Sequence, residues 1–194
     1  MADDYFKRGN WNKKDEYYTP VILVKPILEY IKPNSTVWCP FDTSQSEFVL
    51  LLKDAGHKVI QSHKWYGKDF FEYEPDEPYD YIISNPPFTL KKKILKRLYK
   101  LDKPFAMILG LPILNYQEMG NFFYEKQESG KNLQLLIVDK KVSFDGNTAS
   151  FNNSYFCYNM LPRDIVFVHL EHNNSRQYFT GSKMINESTW WLND

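Results

Sequence analysis

Asn85, Pro86, Pro87 and Phe88 come directly after the apolar run Tyr79-Asp80-Tyr81-Ile82-Ile83-Ser84. The two prolines lock consecutive φ angles and carry no N–H, so the chain must leave a sheet ladder there. Pro86 also keeps Asn85 out of the helical region, which stiffens the turn where the strand ends. The asparagine amide offers one carbonyl acceptor and two donors, and the proline carbonyls remain available as acceptors. Phe88 adds a flat apolar face. Two convergent acceptors beside a stacking ring suit a planar substrate that carries an exocyclic NH2 group. Asn-Pro is also an ordinary strand-ending turn. Its position at the carboxyl end of a buried strand, where open α/β sheets bind ligands, favours an active site.

The segments that must hold this loop alternate along the chain. Residues 1–19 are polar and aromatic without a clear period. A helical pattern starts at Thr19-Pro20, runs through Val21, Leu23, Val24, Ile27, Leu28 and Ile31, and is closed by Lys32-Pro33-Asn34. Thr36 to Cys39 is a short apolar strand ended by Pro40. Ser44 or Ser46 caps a helix carrying Phe48, Val49, Leu51 and Leu52, which stops near Gly56. Lys58 to Ser62 is a second strand, and Glu72 to Asp80 is a solvated connection. After the Asn85 loop, Leu90 to Leu101 reads as a helix with an apolar side and basic residues elsewhere. Strands are expected over Phe105–Leu109 and Leu133–Val138, with a helix over Asn115–Ser129 between them. Tyr155–Met160 and Ile165–Leu170 read as two strands joined across Leu161-Pro162-Arg163, giving an antiparallel edge to a mainly parallel sheet. Trp190 and Trp191 are expected to pack on the domain.

Composition narrows the classes. The 194 residues suit one domain with a single sizeable core, and no repeat or linker divides them. Lys plus Arg and Asp plus Glu each number 24, so no global field attracts nucleic acid and any such contact must be local. The two cysteines, Cys39 and Cys157, are expected as reduced thiols. The start Met1-Ala2-Asp3-Asp4-Tyr5 lacks the basic and apolar regions of a signal peptide, and no apolar stretch approaches membrane-spanning length. A soluble, cytoplasmic protein is expected. His57, His63, His169 and His172 show no metal-ligand spacing, so no metal is assigned.

Four segments in order carry a resemblance to a known family. Asp15-Glu16-Tyr17-Tyr18-Thr19-Pro20, Trp38-Cys39-Pro40-Phe41-Asp42, Gly67-Lys68-Asp69-Phe70-Phe71 and Asn85-Pro86-Pro87-Phe88 together resemble the S-adenosylmethionine-dependent amino-methyltransferases. The likeness is to the small adenine-N6 DNA methyltransferases of phages and mobile elements in particular. The resemblance implies a Rossmann-like methyltransferase fold of the α/β class, with a mainly parallel central sheet, an antiparallel edge and helices on both faces. It implies one methyltransferase domain over 1–194, in which residues 1–35 form a cofactor-covering segment and helix; the length leaves little room for the separate target-recognition domain such enzymes commonly carry, and none is expected. It also implies S-adenosylmethionine as cofactor, held by Tyr18, Thr19, Pro20, Pro40, Phe41, Asp42, Ser44, Asp69, Phe70 and Asn85. Ser44 is open to the alternative use as a helix cap.

By the same resemblance Asn85, Pro86, Pro87 and Phe88 are catalytic. Asn85 Oδ1 and the Pro86 carbonyl would accept both N–H bonds of the adenine amino group, leaving its lone pair aimed at the methyl donor. Phe88 would stack on a base extruded from the duplex. Lys91, Lys92 and Lys93, nearest the loop in a basic run that continues to Lys100, are candidate phosphate contacts, although such runs are often solvated helix faces. Phe144 or Phe151 is the candidate for a second stacking face and is equally a packing residue.

Two departures stand against the family pattern. Phe41 to Ser46 contains no glycine where the family has a glycine-rich cofactor turn, and the second strand ends in Gln61-Ser62-His63 in place of an acidic residue. They motivate a reading from another class, a methyltransferase-like binding or regulatory protein with a weakened cofactor site. Within the enzyme reading, RNA adenine and protein glutamine present the same planar NH2 group. DNA is the favoured substrate, and a homodimer or a partner protein remains open.

Overall fold

The computed structural model describes residues 19–142, 144 and 152–170, together with the backbone of 178–180 and 183–185. Among the described residues four α-helices form: α1 (Val21–Leu28), α2 (Glu47–Asp54), α3 (Lys91–Leu101) and α4 (Gln117–Glu128). Seven strands make one sheet: β1 (Thr36–Cys39), β2 (Lys58–Gln61), β3 (Tyr81–Ser84), β4 (Phe105–Gly110), β5 (Gln134–Val138), β6 (Asn153–Tyr158) and β7 (Ile165–Val168). Their spatial order is β2-β1-β3-β4-β6-β5-β7. β8 (Tyr178–Thr180) and β9 (Lys183–Ile185) form a separate antiparallel pair. Tyr18, Phe151, Trp190 and Trp191 lie outside the described residues.

β1 pairs in parallel with β2 and β3, β3 with β4, and β5 with β7, while β6 runs antiparallel to β4 and β5. The sheet is therefore mainly parallel, with its antiparallel pairing on the side expected from the sequence. The two late strands both form, but β5 lies between them. Gln134 at the start of β5 explains how. Its side chain donates to Leu161 O at 2.8 Å and accepts from the N–H groups of Met160 and Leu161 at 2.9 and 3.0 Å. The 159–164 connection is thereby fastened around the end of β5 and cannot close as a hairpin.

Strand alternation divides the core in two. Val37 and Cys39, Tyr81 and Ile83, Ala106 and Ile108, and Tyr155 and Cys157 point to one face, where α1 and α2 bury Val24, Ile27, Phe48 and Leu52. Trp38, Ile82, Phe105, Met107 and Phe156 point to the other, against Ile94, Leu95, Leu98 and Tyr99 of α3 and Met119 of α4. Helices thus cover both faces, as a buried parallel sheet requires. α3 keeps its lysines outside because its apolar positions repeat at helical spacing, and it stops where Asp102 adopts a left-handed conformation, φ 54°. Trp38 is fully buried, and its indole N–H is satisfied by Ser62 Oγ at 2.9 Å.

Candidate active site

β1, β2 and β3 are parallel, so their carboxyl ends share one edge of the sheet. The chain leaves β1 toward β2 and returns past β1 to β3, which puts the reversal of strand order between β1 and β3. Ligands bind open α/β sheets at such a crevice. Here the crevice is a cleft of about 110 Å3, several times what one water needs. Pro40, Phe41 and Asp42 enter it from β1, His63, Lys64 and Trp65 from β2, and Asn85, Pro86, Pro87 and Phe88 from β3. Thr19, Asp69 and Phe70 complete much of the wall.

The loop after β1 is closed by its own hydroxyls. Thr43 N–H donates to Ser46 Oγ at 2.9 Å, and Ser46 N–H donates back to Thr43 O at 3.1 Å. Ser46 is the residue before α2, yet its side chain makes no cap bond to that helix because it is turned inward to this loop. Asp42 is buried, and its carboxylate accepts hydrogen bonds from Ser84 and Ser46. Burial pushes its pKa up to about 6, against the opposing pull of those two hydroxyls. Ser44, expected at the cofactor, is exposed and lies off the cleft wall: the 43–46 turn directs Thr43 and Ser46 to the cleft and Ser44 to solvent.

The loop after β2 is a single 3-10 turn, Lys64–Tyr66, between His63 and Gly67. His63 Nδ1 accepts from Trp65 N–H at 3.2 Å, and the two rings meet edge to face at 4.5 Å. Burial lowers the pKa of His63 and so favours the neutral imidazole, the form whose Nδ1 can accept from Trp65 N–H. Gly67 closes the turn at φ 74°, a left-handed conformation that disfavours a Cβ. Asp69 is tied into the same wall, accepting from Phe71 N–H at 3.0 Å and pairing with Lys64 at 2.9 Å. Partial burial raises its pKa, but the Phe71 N–H and Lys64 outweigh this and hold it below the usual carboxylate range. Phe70 packs 4.9 Å from Phe41 and 5.5 Å from Trp38, giving the cleft an aromatic floor.

At the end of β3, Asn85 Oδ1 is buried and, among the described residues, has no hydrogen-bond partner. A buried acceptor left so costs about 1–3 kcal/mol, and in a cleft wall it marks a place for an incoming donor. Phe88 meets Phe144 edge to face, with ring centroids 6.2 Å apart. Lys91, Lys92 and Lys93 open α3 just beyond Leu90, which is on the cleft wall.

Thr19, Pro40, Phe41, Asp42, Asp69, Phe70 and the Asn85–Phe88 loop, separated in sequence, therefore line one cleft. Pro20 starts α1 and lies off the wall. Sequence reasoning missed Ser46, His63, Lys64 and Trp65. For the last three the sequence showed only a loop, the Trp65-Tyr66 pair before Gly67, and not that this loop faces the cleft. Among the described residues no group of His, Cys, Asp or Glu side chains is placed to hold a metal ion, and no helix is long and apolar enough to cross a membrane.

Comparison with known proteins agrees with this architecture. No protein-family model matches the chain. It is 27% identical over 115 residues to the Type II methyltransferase M.EcoRI of Escherichia coli, a match covering 52% of this chain and 34% of that protein. The matched stretch thus spans about a third of that enzyme's length. Among solved structures, the type I restriction-modification system methyltransferase subunit of Streptococcus thermophilus superposes with a TM-score of 0.50 at 12% identity, over 90% of this chain and 51% of that one. A Listeria monocytogenes protein described as a class I S-adenosylmethionine-dependent methyltransferase gives a TM-score of 0.51 at 10% identity, over 85% of this chain and 68% of its own. The resemblance carried by the four sequence segments is borne out in the architecture: the fold of this chain is the class I S-adenosylmethionine-dependent methyltransferase fold.

Proposed function

We propose that the chain is an S-adenosylmethionine-dependent methyltransferase acting on the exocyclic N6 amino group of adenine in DNA. The carrying observation is Asn85, whose side-chain carbonyl is buried and unpartnered on the cleft wall at the head of Pro86-Pro87-Phe88. An amino group donating to Asn85 Oδ1 and to the Pro86 carbonyl has its nitrogen drawn toward tetrahedral geometry, with the lone pair exposed. No strong base is required, since the proton leaves only after the nitrogen has reacted.

The chemistry of the cleft lining suits the donor. Its buried Asp42 carboxylate suits a ligand ammonium, and the Phe41 and Phe70 rings with the Trp65 face suit an adenine. Thr19, Pro40, Phe41, Asp42, Asp69 and Phe70 would hold it, and Asn85 would face it. When bound, S-adenosylmethionine supplies an electrophilic methyl group for in-line transfer. Phe88 and Leu90, apolar on the cleft wall, would exclude water on the substrate side. The match to M.EcoRI supports methyl transfer, and the lysines opening α3 support a polyanionic substrate.

The acceptor loop itself does not distinguish adenine from a glutamine amide, so the test has three substrate arms. Calorimetric titration with S-adenosylmethionine comes first, and no binding at millimolar ligand overturns the enzyme reading in favour of a binding or regulatory protein. Tritiated-methyl transfer to duplex DNA, RNA and bulk protein follows, with the product identified by mass spectrometry. N6-methyladenine in the DNA arm is expected. Transfer to RNA or protein alone would overturn the DNA assignment.

A further inference from the structure

The chain carries no net charge, yet one surface next to the cleft is locally basic and aromatic. Tyr116 lies between the short 3-10 turn that follows β4 and the start of α4, and its side chain is 39% exposed. Two ammonium groups approach its ring: Lys91 Nζ is 5.2 Å and Lys92 Nζ 5.3 Å from the centroid. Glu118, the second residue of α4, takes Lys92 at 2.8 Å and Lys96 at 2.7 Å, and these two lysines pull its pKa down to about 2. One carboxylate is thus shared by two cations. Among the described residues Lys91 and Lys93 have no ion-pair partner, so the surface keeps a positive excess.

The location gives this surface a partner. Lys91 is the residue after Leu90 and three after Phe88, both on the cleft wall. A polymer that delivers one of its units to Asn85 must lay its adjoining units across this ground. A nucleic-acid strand matches it in two ways: every unit brings a phosphate for an ammonium and a π-face for a ring. Resting on the nucleic-acid reading of the site, we propose that Tyr116 stacks on a nucleotide beside the target while Lys91 and Lys93 take its flanking phosphates. The Glu118 pairs hold Lys92 and Lys96 against α4, which leaves Lys91 and Lys93 for the phosphates.

The test uses the whole chain and a labelled duplex oligonucleotide, with binding followed by anisotropy at several salt concentrations and donor binding followed by calorimetry. Tyr116→Ala and Tyr116→Leu are expected to weaken DNA binding about tenfold, within the range for one base–aromatic stack, while Tyr116→Phe retains it. The leucine variant keeps the apolar bulk, so a loss there reports the ring and not the packing. Removing both lysines, Lys91→Ala with Lys93→Ala, should reduce the slope of log affinity against log salt by about 2. S-adenosylmethionine affinity should stay unchanged throughout. Wild type that binds and methylates DNA, with Tyr116→Ala and the double lysine variant doing so equally well, overturns the surface alone. Wild type that methylates protein and binds no nucleic acid overturns the substrate reading beneath it.

Discussion

Ser84 donates its hydroxyl hydrogen to the buried carboxylate of Asp42, joining the end of β3 to the loop after β1 directly beside Asn85. The bond crosses the point where strand order reverses, so it sets the width of the crevice from both sides. A carboxylate in that position is disfavoured as an anion, and burial shows as a pKa raised to about 6 from 3.8.

Asp42→Asn should therefore stabilise the chain in a pH-dependent way. The native state takes up a proton on Asp42 at higher pH than the unfolded state does, so wild-type stability from this group is fully present below about 3.8 and is lost as pH rises through about 6. The asparagine variant carries no such penalty and should exceed wild type at pH 8 by up to about 3 kcal/mol. The difference should shrink toward zero at pH 4. Urea unfolding of both proteins at the two pH values measures it, and an equal difference at both would remove Asp42 as the cause. A ligand ammonium would offset the same penalty, so the stabilised variant should also bind S-adenosylmethionine more weakly.

Asn85→Ala should lower the rate of methyl transfer by about 10²- to 10³-fold, the loss expected for one hydrogen-bonding group aimed at the reacting atom. Donor affinity should change less than threefold. Thermal stability should not fall, because the substitution removes a buried acceptor that has no partner. Asn85→Asp keeps an acceptor at the same place and should retain part of the rate. A variant that turned over at the wild-type rate would exclude Asn85 from the chemistry.

The parts of this site that were legible in the sequence are those fixed by local chemistry. Pro86 and Pro87 end β3 through their own geometry, and the alternation of Val37, Trp38 and Cys39 assigns two faces without reference to any neighbour. What escaped depends on distant pairing. That β5 would lie between β6 and β7 depends on Gln134 binding the Leu161 backbone, 27 residues away in sequence. Ser44 and Ser46 are equivalent as cap residues in the sequence, and only the 43–46 turn decides that Ser46 faces Asp42 while Ser44 faces water. His63 and Trp65 reach the cleft because β2 pairs in parallel with β1, a contact no local pattern encodes.

His63 should give a pH response opposite in sign to that of Asp42. Its pKa is lowered by burial, and its Nδ1 must stay unprotonated to accept from Trp65 N–H. Its contribution to stability is present above the unfolded value of 6.5 and is lost as pH falls through the lower folded value. His63→Gln should therefore lose less stability than wild type between pH 7 and pH 5. Unfolding curves across that range check the sign, and a larger loss in the variant would contradict it.

Gly67 is the position where the cleft wall depends on backbone freedom. Its φ of 74° closes the Lys64–Tyr66 turn, and a Cβ added there would meet nothing within 4 Å. The cost of Gly67→Ala is therefore conformational, about 1–2 kcal/mol for a side chain held left-handed. The chain can relieve that strain only by opening the turn, which would draw Lys64 from Asp69 and swing Trp65 off the cleft. Gly67→Ala should thus weaken S-adenosylmethionine binding several-fold along with stability, whereas Gly67→Asn, which tolerates the left-handed region, should keep most of both. Calorimetry beside thermal melts separates the outcomes. A Gly67→Ala chain that lost stability but bound the donor normally would show that the 64–67 turn does not form part of the donor site.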